Sequence, residues 1–261
     1  MAYVVLCAVA LLASALTLVS GFGLGTLLLP AFALFVPIEL AVSATAAVHL
    51  ANNLFKLALV GRHASRRVVL AFGLPAVPAA LGGAWVLIRL ARLPDLGRWS
   101  AGGREFAVGG VDLAVAALIV GFALLELSPA AERLAFAPRW LPLGGLLSGF
   151  CGGLSGHQGA LRSAFLLRSG LSKETFVASG VACAVLVDLA RIAVYGVATR
   201  GGMPDPSLDP GWGPLLAAAA AALAGSIVGV RWLGTLTLGG VRRIVGGLLL
   251  ALGLAIGCGI V

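Results

Sequence analysis

The sequence predicts an all-α polytopic membrane protein built from two homologous repeats of four membrane segments, the first segment of each broken or re-entrant at a glycine-rich motif. Three observations carry this prediction. The 261 residues are 60% hydrophobic and 11% charged, with mean hydropathy +1.07, whereas soluble domains hold roughly a quarter of charged residues. Eight apolar runs follow one another from end to end. Finally, the second half of the chain repeats the first at a constant offset of 135 positions: Ser20, Gly21, Glu39, Lys56 and Gly61 fall on Ser155, Gly156, Glu174, Arg191 and Gly196. The offset then drifts, but Leu81 and Arg89 still match Leu223 and Arg231, and Gly109-Gly110 matches Gly246-Gly247. Matched charges inside apolar runs rarely arise by chance, because each is costly in lipid.

The runs are Tyr3 to Val36, Ile38 to Val60, Val68 to Leu90, Val108 to Leu127, Leu141 to Leu167, Phe176 to Ala198, Trp212 to Leu233 and Ile244 to Val261. About 20 helical residues span the hydrocarbon, which fits six of the eight as single crossings. The first and fifth are interrupted, at Gly21 to Gly25 and at Gly152 to Gly159. Tyr3 to Val36, 34 residues, is too long for one crossing and too short for two plus a turn, so it is either a tilted, unwound helix or a re-entrant hairpin that turns at the glycines. Turning both back leaves Arg89, Arg92, Arg98, Arg104 and Arg200 on one face and the other ten loop cations on the opposite face. That is the stronger positive-inside bias. It makes three full crossings per unit, hence inverted repeats, with both termini on the outer face.

The whole chain, 1–261, is one transmembrane domain, with repeat 1 at about 3–127 and repeat 2 at about 138–261. Arg92 to Glu105 and Arg200 to Gly213, rich in Gly and Pro, read as interfacial loops. The net charge of +8 collects between apolar runs and is read as topology, so no nucleic-acid partner is expected. The absence of alternating strands excludes a β-barrel. Met1-Ala-Tyr-Val-Val lacks the positive start of a cleavable signal, so the first run is expected to remain. Cys7, Cys151, Cys183 and Cys258 stand singly without metal spacing and read as packing residues. No metal, cofactor or ATP-binding loop is expected, and the protein is not read as an enzyme. The bilayer is the expected surrounding, and association as a homodimer is left open.

Unwound backbone inside a membrane is tolerated only against protein or a watery cavity, and paired breaks in two repeats point to a transporter's midplane site. The breaks here comprise Gly21, Gly23 and Gly25 in the first unit and Gly156, His157, Gln158 and Gly159 in the second. A half-helix that starts after each presents free N–H groups and a positive dipole end, which suit an anion. Thr45, His49, Asn52, Asn53 and Lys56 recur at three- and four-residue steps and so line one side of the second segment. In the second unit Asp188 and Arg191 are three apart and able to pair. Asn53 aligns with Asp188, so Lys56 lacks the carboxylate its counterpart has. Arg162, one turn after the second break, has no acid within reach on its own helix. With Asp112 assigned as a counter-charge alongside Asp188, Lys56, Arg162 and Arg191 leave one surplus positive charge, which an anionic substrate would fill. Lys56 is near the end of its run and could instead snorkel to the interface. His49 and His157 titrate near physiological pH and could couple transport to protons.

The run Ser20-Gly21-Phe22-Gly23-Leu24-Gly25-Thr26-Leu27-Leu28-Leu29-Pro30, followed by Val42 to Asn53, resembles the first repeat of the sulfite exporter TauE/SafE family of membrane transporters. Gly145 to Gly159 is similar to that family's second-repeat signature. The resemblance covers nearly the whole chain. It implies a bacterial-type carrier in the plasma (inner) membrane, with two repeats of four segments, that moves sulfur-containing anions such as sulfite, organosulfonates or thiosulfate. The second repeat departs from the usual pattern, carrying His157-Gln158, Arg162 and Phe165 where the family has more glycines and a proline. Arginine's fork suits a small, strongly charged oxyanion there. The expected roles are Arg162 as charge partner, Gln158 and His157 as donors, and the N–H groups after Gly25 and Gly159 as a cradle. Asn53 and Lys56 contribute from the next helix, and Asp188 orients Arg191. An anion channel of the same fold, or a carrier of another small carboxylate or oxyanion, is the competing expectation.

Overall fold

The computed structural model describes residues 2–20, 24–128, 134–200, 212–232 and 238–260. Apolar sequence with few breakers becomes helix almost throughout, because backbone groups in lipid must be satisfied within the segment. The helices are α1 (Ala2–Ser20), α2 (Leu24–Ala33), α3 (Ile38–Val60), α4 (Arg66–Val68), α5 (Leu74–Ala91), α6 (Gly110–Leu127), α7 (Leu141–Ser155), α8 (Gly159–Leu166), α9 (Lys173–Arg200), α10 (Trp212–Trp232) and α11 (Leu238–Gly257). A π-helical stretch, Val69–Gly73, joins α4 to α5, just ahead of Pro75, which has no N–H to continue the ladder. Four helices among the described residues are long and apolar enough to cross a membrane: Arg66–Ala91, Gly110–Leu127, Lys173–Val197 and Trp212–Gly229. The 23-residue α3 is long enough as well, but His49, Asn52, Asn53 and Lys56 dilute its apolar character. They face inward: Thr45, His49, Asn52, Asn53 and Lys56 are all buried, while Leu54 and Leu59 on the other side stay exposed, so the polar side of α3 is covered by other helices.

In the fifth apolar run the glycine break is a turn. α7 ends at Gly156, whose φ of +82° is left-handed and so favours glycine. α8 then runs back beside α7. Ser148 donates to the Gln158 carbonyl at 2.9 Å, Phe136 N–H donates to the Ala164 carbonyl at 3.1 Å, and Gly144, near the start of α7, lies under the ring of Phe165, near the end of α8. This segment is a helical hairpin that doubles back on itself, as a re-entrant segment requires. In the first run, α1 and α2 pack on each other on either side of residues 21–23.

Helices from the two halves interleave. α1 packs on α10, and α5 packs on α7, while α3 lies against α9 and α6 against α11. Small residues allow the first two of these approaches. A methyl group on Gly145, Gly149 or Gly153 would sit 2.1, 2.3 or 2.1 Å from the carbonyl oxygens of Phe72, Ala76 and Ala80, and one on Gly225 or Gly229 would sit 2.1 or 2.6 Å from those of Leu11 and Ala15. Four-residue steps on both partners place backbone on backbone, which is how helices associate in lipid, where no hydrophobic drive exists between them.

The stretch from Arg92 to Glu105 is not a plain loop. Strands β1 (Gly97–Ala101) and β2 (Arg104–Val108) form an antiparallel hairpin. Gly102 and Gly103 both have positive φ, the requirement of a two-residue primed turn, which matches strand twist. Trp99 stacks on Phe106 at 4.5 Å and donates to the Cys258 carbonyl at 2.8 Å, which fastens the hairpin over the end of α11. The other expected loop lies mostly outside the described residues. Gly109-Gly110 begins α6, where Gly110 is buried against Leu90 and Leu93, and Gly246 on α11 abuts Leu127.

Candidate functional site

α3 and α9 cross where the two halves bring their polar residues together. Asp188 on α9 is the hub and is completely buried. Its Oδ1 accepts from Arg191 Nε at 3.0 Å and Nη2 at 2.8 Å and from Gln158 at 3.4 Å. Its Oδ2 accepts from His49 Nδ1 at 2.7 Å and from Asn53 at 3.1 Å. The three-residue spacing of Asp188 and Arg191 puts both on one face of α9, as expected. The His49 contact was not expected, since nothing in the spacing of α3 says which helix it will face. Asn53 and Asp188, the positions superposed by the 135-residue offset, touch each other.

The two breaks also meet. Gly25 at the start of α2 abuts the carbonyl of Gly156, to which an added methyl would come within 3.3 Å, and it faces the ring of His49. A methyl on Gly156 would lie 2.7 Å from Arg191 Nη1, so the turn must be bare for the guanidinium to reach it. Gly21 and Gly23 lie outside the described residues. Gly159 opens α8, and with Ala160 it lines a small cavity shared with Thr26, Phe122, Glu126, His157 and Leu249.

The cations are unevenly matched. Arg191, 0% exposed, has its two-point contact with Asp188, but its Nη1 is buried without a partner. Arg162, 8% exposed, donates to Gln158 Oε1 at 3.3 Å, a neutral group. Lys56 is 5% exposed, so it does not snorkel. Among the described residues no carboxylate forms an ion pair with Arg162 or Lys56. Asp112, expected to neutralise one of them, does not. It accepts from the Gly109 N–H at 2.7 Å and caps α6, because a carboxylate in the first turn satisfies a free N–H and the helix dipole. The second deep carboxylate is Glu126, 7% exposed, which sequence reasoning missed. Its place next to the end of an apolar run looks interfacial until α6 is seen packed under α11.

Gln158 does not stand as a free donor. Its amide links Arg162 to Asp188, and its carbonyl is held by Ser148. His157 Nδ1 lies 3.2 Å from the Ser155 carbonyl and 3.1 Å from the Ser155 hydroxyl, and its ring stacks on Phe122 at 5.8 Å.

A second buried cluster, also unforeseen as such, is neutral. Ser226 and Ser14 donate to Asn52 Oδ1 at 2.7 and 3.2 Å, joining α10 and α1 to α3. The four cysteines are free, and no metal-ligand cluster occurs among the described residues.

What the arrangement offers is enclosed positive charge at the meeting of two glycine breaks, with neutral donors around it and a helix N-terminus beside it. Comparison with curated proteins gives no match, and comparison with solved structures gives none. The sulfite exporter TauE/SafE family model matches residues 6–256, nearly the whole chain, and together with the enclosed polar crossing this identifies a multi-pass membrane protein of a transporter family: the chain belongs to the sulfite exporter TauE/SafE family.

Proposed function

We propose that the protein is a secondary carrier that moves a small sulfur-containing anion, such as sulfite, an organosulfonate or thiosulfate, out of the cell through a site between the two breaks. One observation carries this reading: Arg162, one turn past the second break, and Lys56, within its electrostatic reach, are buried and have no carboxylate partner among the described residues. An unpaired ion inside a membrane protein is costly, so its retention points to a charge that arrives from outside. Arg162 supplies the directed charge, Lys56 a second one, and the first N–H groups of α8 a partial positive end. Asp188 holds Arg191 and, through Gln158, positions Arg162; His49 and Asn53 complete that frame. The interleaving of first and third helices between halves, with second and fourth packed like on like, supports two inverted repeats that rock about the crossing. An interior-negative potential drives an anion outward by about 2.3 kcal/mol per charge per 100 mV, so no energised domain is required.

The test is exchange of labelled sulfite, thiosulfate and sulfoacetate across proteoliposomes, with Arg162→Ala and Arg162→Lys beside the wild type. Saturable counterflow that is lost in Arg162→Ala and partly kept in Arg162→Lys is the expected outcome. Unchanged flux in Arg162→Ala removes the central residue, flux without saturation or counterflow makes the protein a channel, and no flux of any of the three anions removes the substrate class.

A further inference from the structure

We propose that the turn at residues 61–65 is a gate, and that the anion passes beneath it between the basic end of the bundle and Arg162, meeting Lys56 on the way. This rests on the carrier reading of the site and adds to it a route and a moving part.

The spread of charge marks the route. Arg62, Arg66 and Arg67 follow the end of α3, and Arg168 and Lys173 lie where α8 passes into α9; all five are exposed. α11 runs antiparallel to α6, with Gly246 against Leu127 and Gly257 against Ala116, so Arg242 and Arg243 near its start come to the same end. The described carboxylates of that end are Glu174, which is exposed, and Glu126, which is buried on α6. At the β-hairpin end α3 and α6 both start, with Glu39 in electrostatic reach of Asp112. There Arg89, Arg92, Arg98 and Arg104 are accompanied by Glu39, Asp95, Glu105 and Asp112, and the charges nearly cancel. A mouth of one sign concentrates ions of the other, so an anion gathers at the end that carries residues 61–67.

The cations continue inward from there. Lys56, five residues before Gly61, is buried within electrostatic reach of Arg162. Arg162 passes over the bare backbone of α9 at Gly180, where a methyl group would lie 3.4 Å from its Nε. The neighbouring Ser179 is completely buried and accepts from the Ser65 N–H at 2.9 Å. The turn, Ser179, Gly180 and Arg162 thus follow one another from the surface inward. In the other direction an anion leaving Arg162 would meet the Asp188 carboxylate. Behind it stand Arg191 and Tyr195, whose hydroxyl donates to the Gly153 carbonyl. Charge and side chains both close that way.

The cover over Lys56 and Arg162 is light. Gly61–His63 is a single 3-10 turn, the Ser65 bond ties it to α9, and His63 lies within electrostatic reach of the exposed Glu174. The π-helical stretch Val69–Gly73 follows, an irregularity common at functional places in helices. Short segments of this kind swing as lids over sites that must exclude water.

The test asks from which side position 179 can be reached. Ser179→Cys is treated with a membrane-impermeant methanethiosulfonate bearing a sulfonate group, in membrane vesicles of the two opposite orientations. Mass spectrometry reads the label on each cysteine, and the exposed Cys258 next to the β-hairpin marks the vesicles whose hairpin end faces the reagent. The thiol at position 179 should react only where Cys258 is protected. Cys183, completely buried one turn further along α9 and within electrostatic reach of Arg162, should show the same sidedness in the unmodified chain. Adding Ser65→Pro removes the donated N–H without straining the turn, because Ser65 has φ −78° and Ala64 has φ −66° and ψ 134°, which suit a proline and the residue before it. Labelling at position 179 should then quicken roughly fivefold, the factor for one ordinary hydrogen bond. Reaction from the side where Cys258 reacts, reaction from neither side, or a rate that Ser65→Pro leaves unmoved overturns the gate. If sulfite, thiosulfate and sulfoacetate all fail to cross, the carrier reading fails on that count, whereas the gate stands or falls on which side reaches position 179.

Discussion

α3 carries two polar clusters one residue apart in sequence, and they differ in kind. On the Asn52 side, Ser14 and Ser226 close a neutral triad in which the Asn52 carbonyl oxygen is doubly satisfied. On the Asn53 side, His49 and Asn53 join Asp188, Arg191, Gln158 and Arg162 in a network of ions whose positive members outnumber its one carboxylate. Burial is common to both, so burial does not mark function. The neutral cluster fastens three helices and, although the Asn52 amide nitrogen is buried without a partner, it carries no net charge to be met. The charged one is incomplete as it stands, and its deficit has a sign.

Mutations can break or sharpen this contrast. The largest effect belongs to Asp188→Ala, which leaves Arg191 buried with no counter-charge. A loss of about 3–5 kcal/mol is expected, read as a collapse of thermal stability in detergent, and the double variant Asp188→Leu, Arg191→Met should recover much of it without recovering transport. Arg162→Gln comes next: anion affinity should fall by about 2 kcal/mol, roughly thirtyfold, the scale of a hydrogen bond to a charged group. Its melting temperature should hardly move, because the neutral partner Gln158 does not depend on the charge. Asn52→Ala should show the reverse pattern, losing about 1–2 kcal/mol of stability for its two accepted bonds with the dissociation constant for thiosulfate unchanged. A shift in that constant would mean the triad is part of the site. Lys56→Met should move stability in the opposite direction to Asn52→Ala. Removing an unpaired buried charge should raise stability by up to about 1 kcal/mol while weakening anion binding several-fold.

That the chain is mostly helical and polytopic was legible because composition and run length are sums over many residues, and no single contact changes them. The second break was legible too, since Gly156 and Gly159 interrupt an apolar run. Its turning back showed only as a charge bias between loops, because the contact that fixes it, Phe165 on Gly144 across the hairpin, joins residues that spacing does not connect. Asp188 with Arg191 could be read from spacing on one helix. The bond from His49 to Asp188 could not, as it joins residues 139 positions apart. Asp112 was misassigned for a related reason. An acid three residues after Gly109 is a helix-start signal as much as a membrane charge, and the capping use won. Glu126 escaped notice because proximity to the end of a run resembles exposure, and only the packing of α6 against α11 shows otherwise.

The exchange of partners between α1 and α10 has a consequence for how the chain is made. The opening helix has its chief neighbour at Trp212–Trp232, so at about 5–20 residues per second it waits some 10–40 s in the bilayer before that surface arrives. Assembled in this order, the first half of the bundle closes only after most of the second half has entered the bilayer.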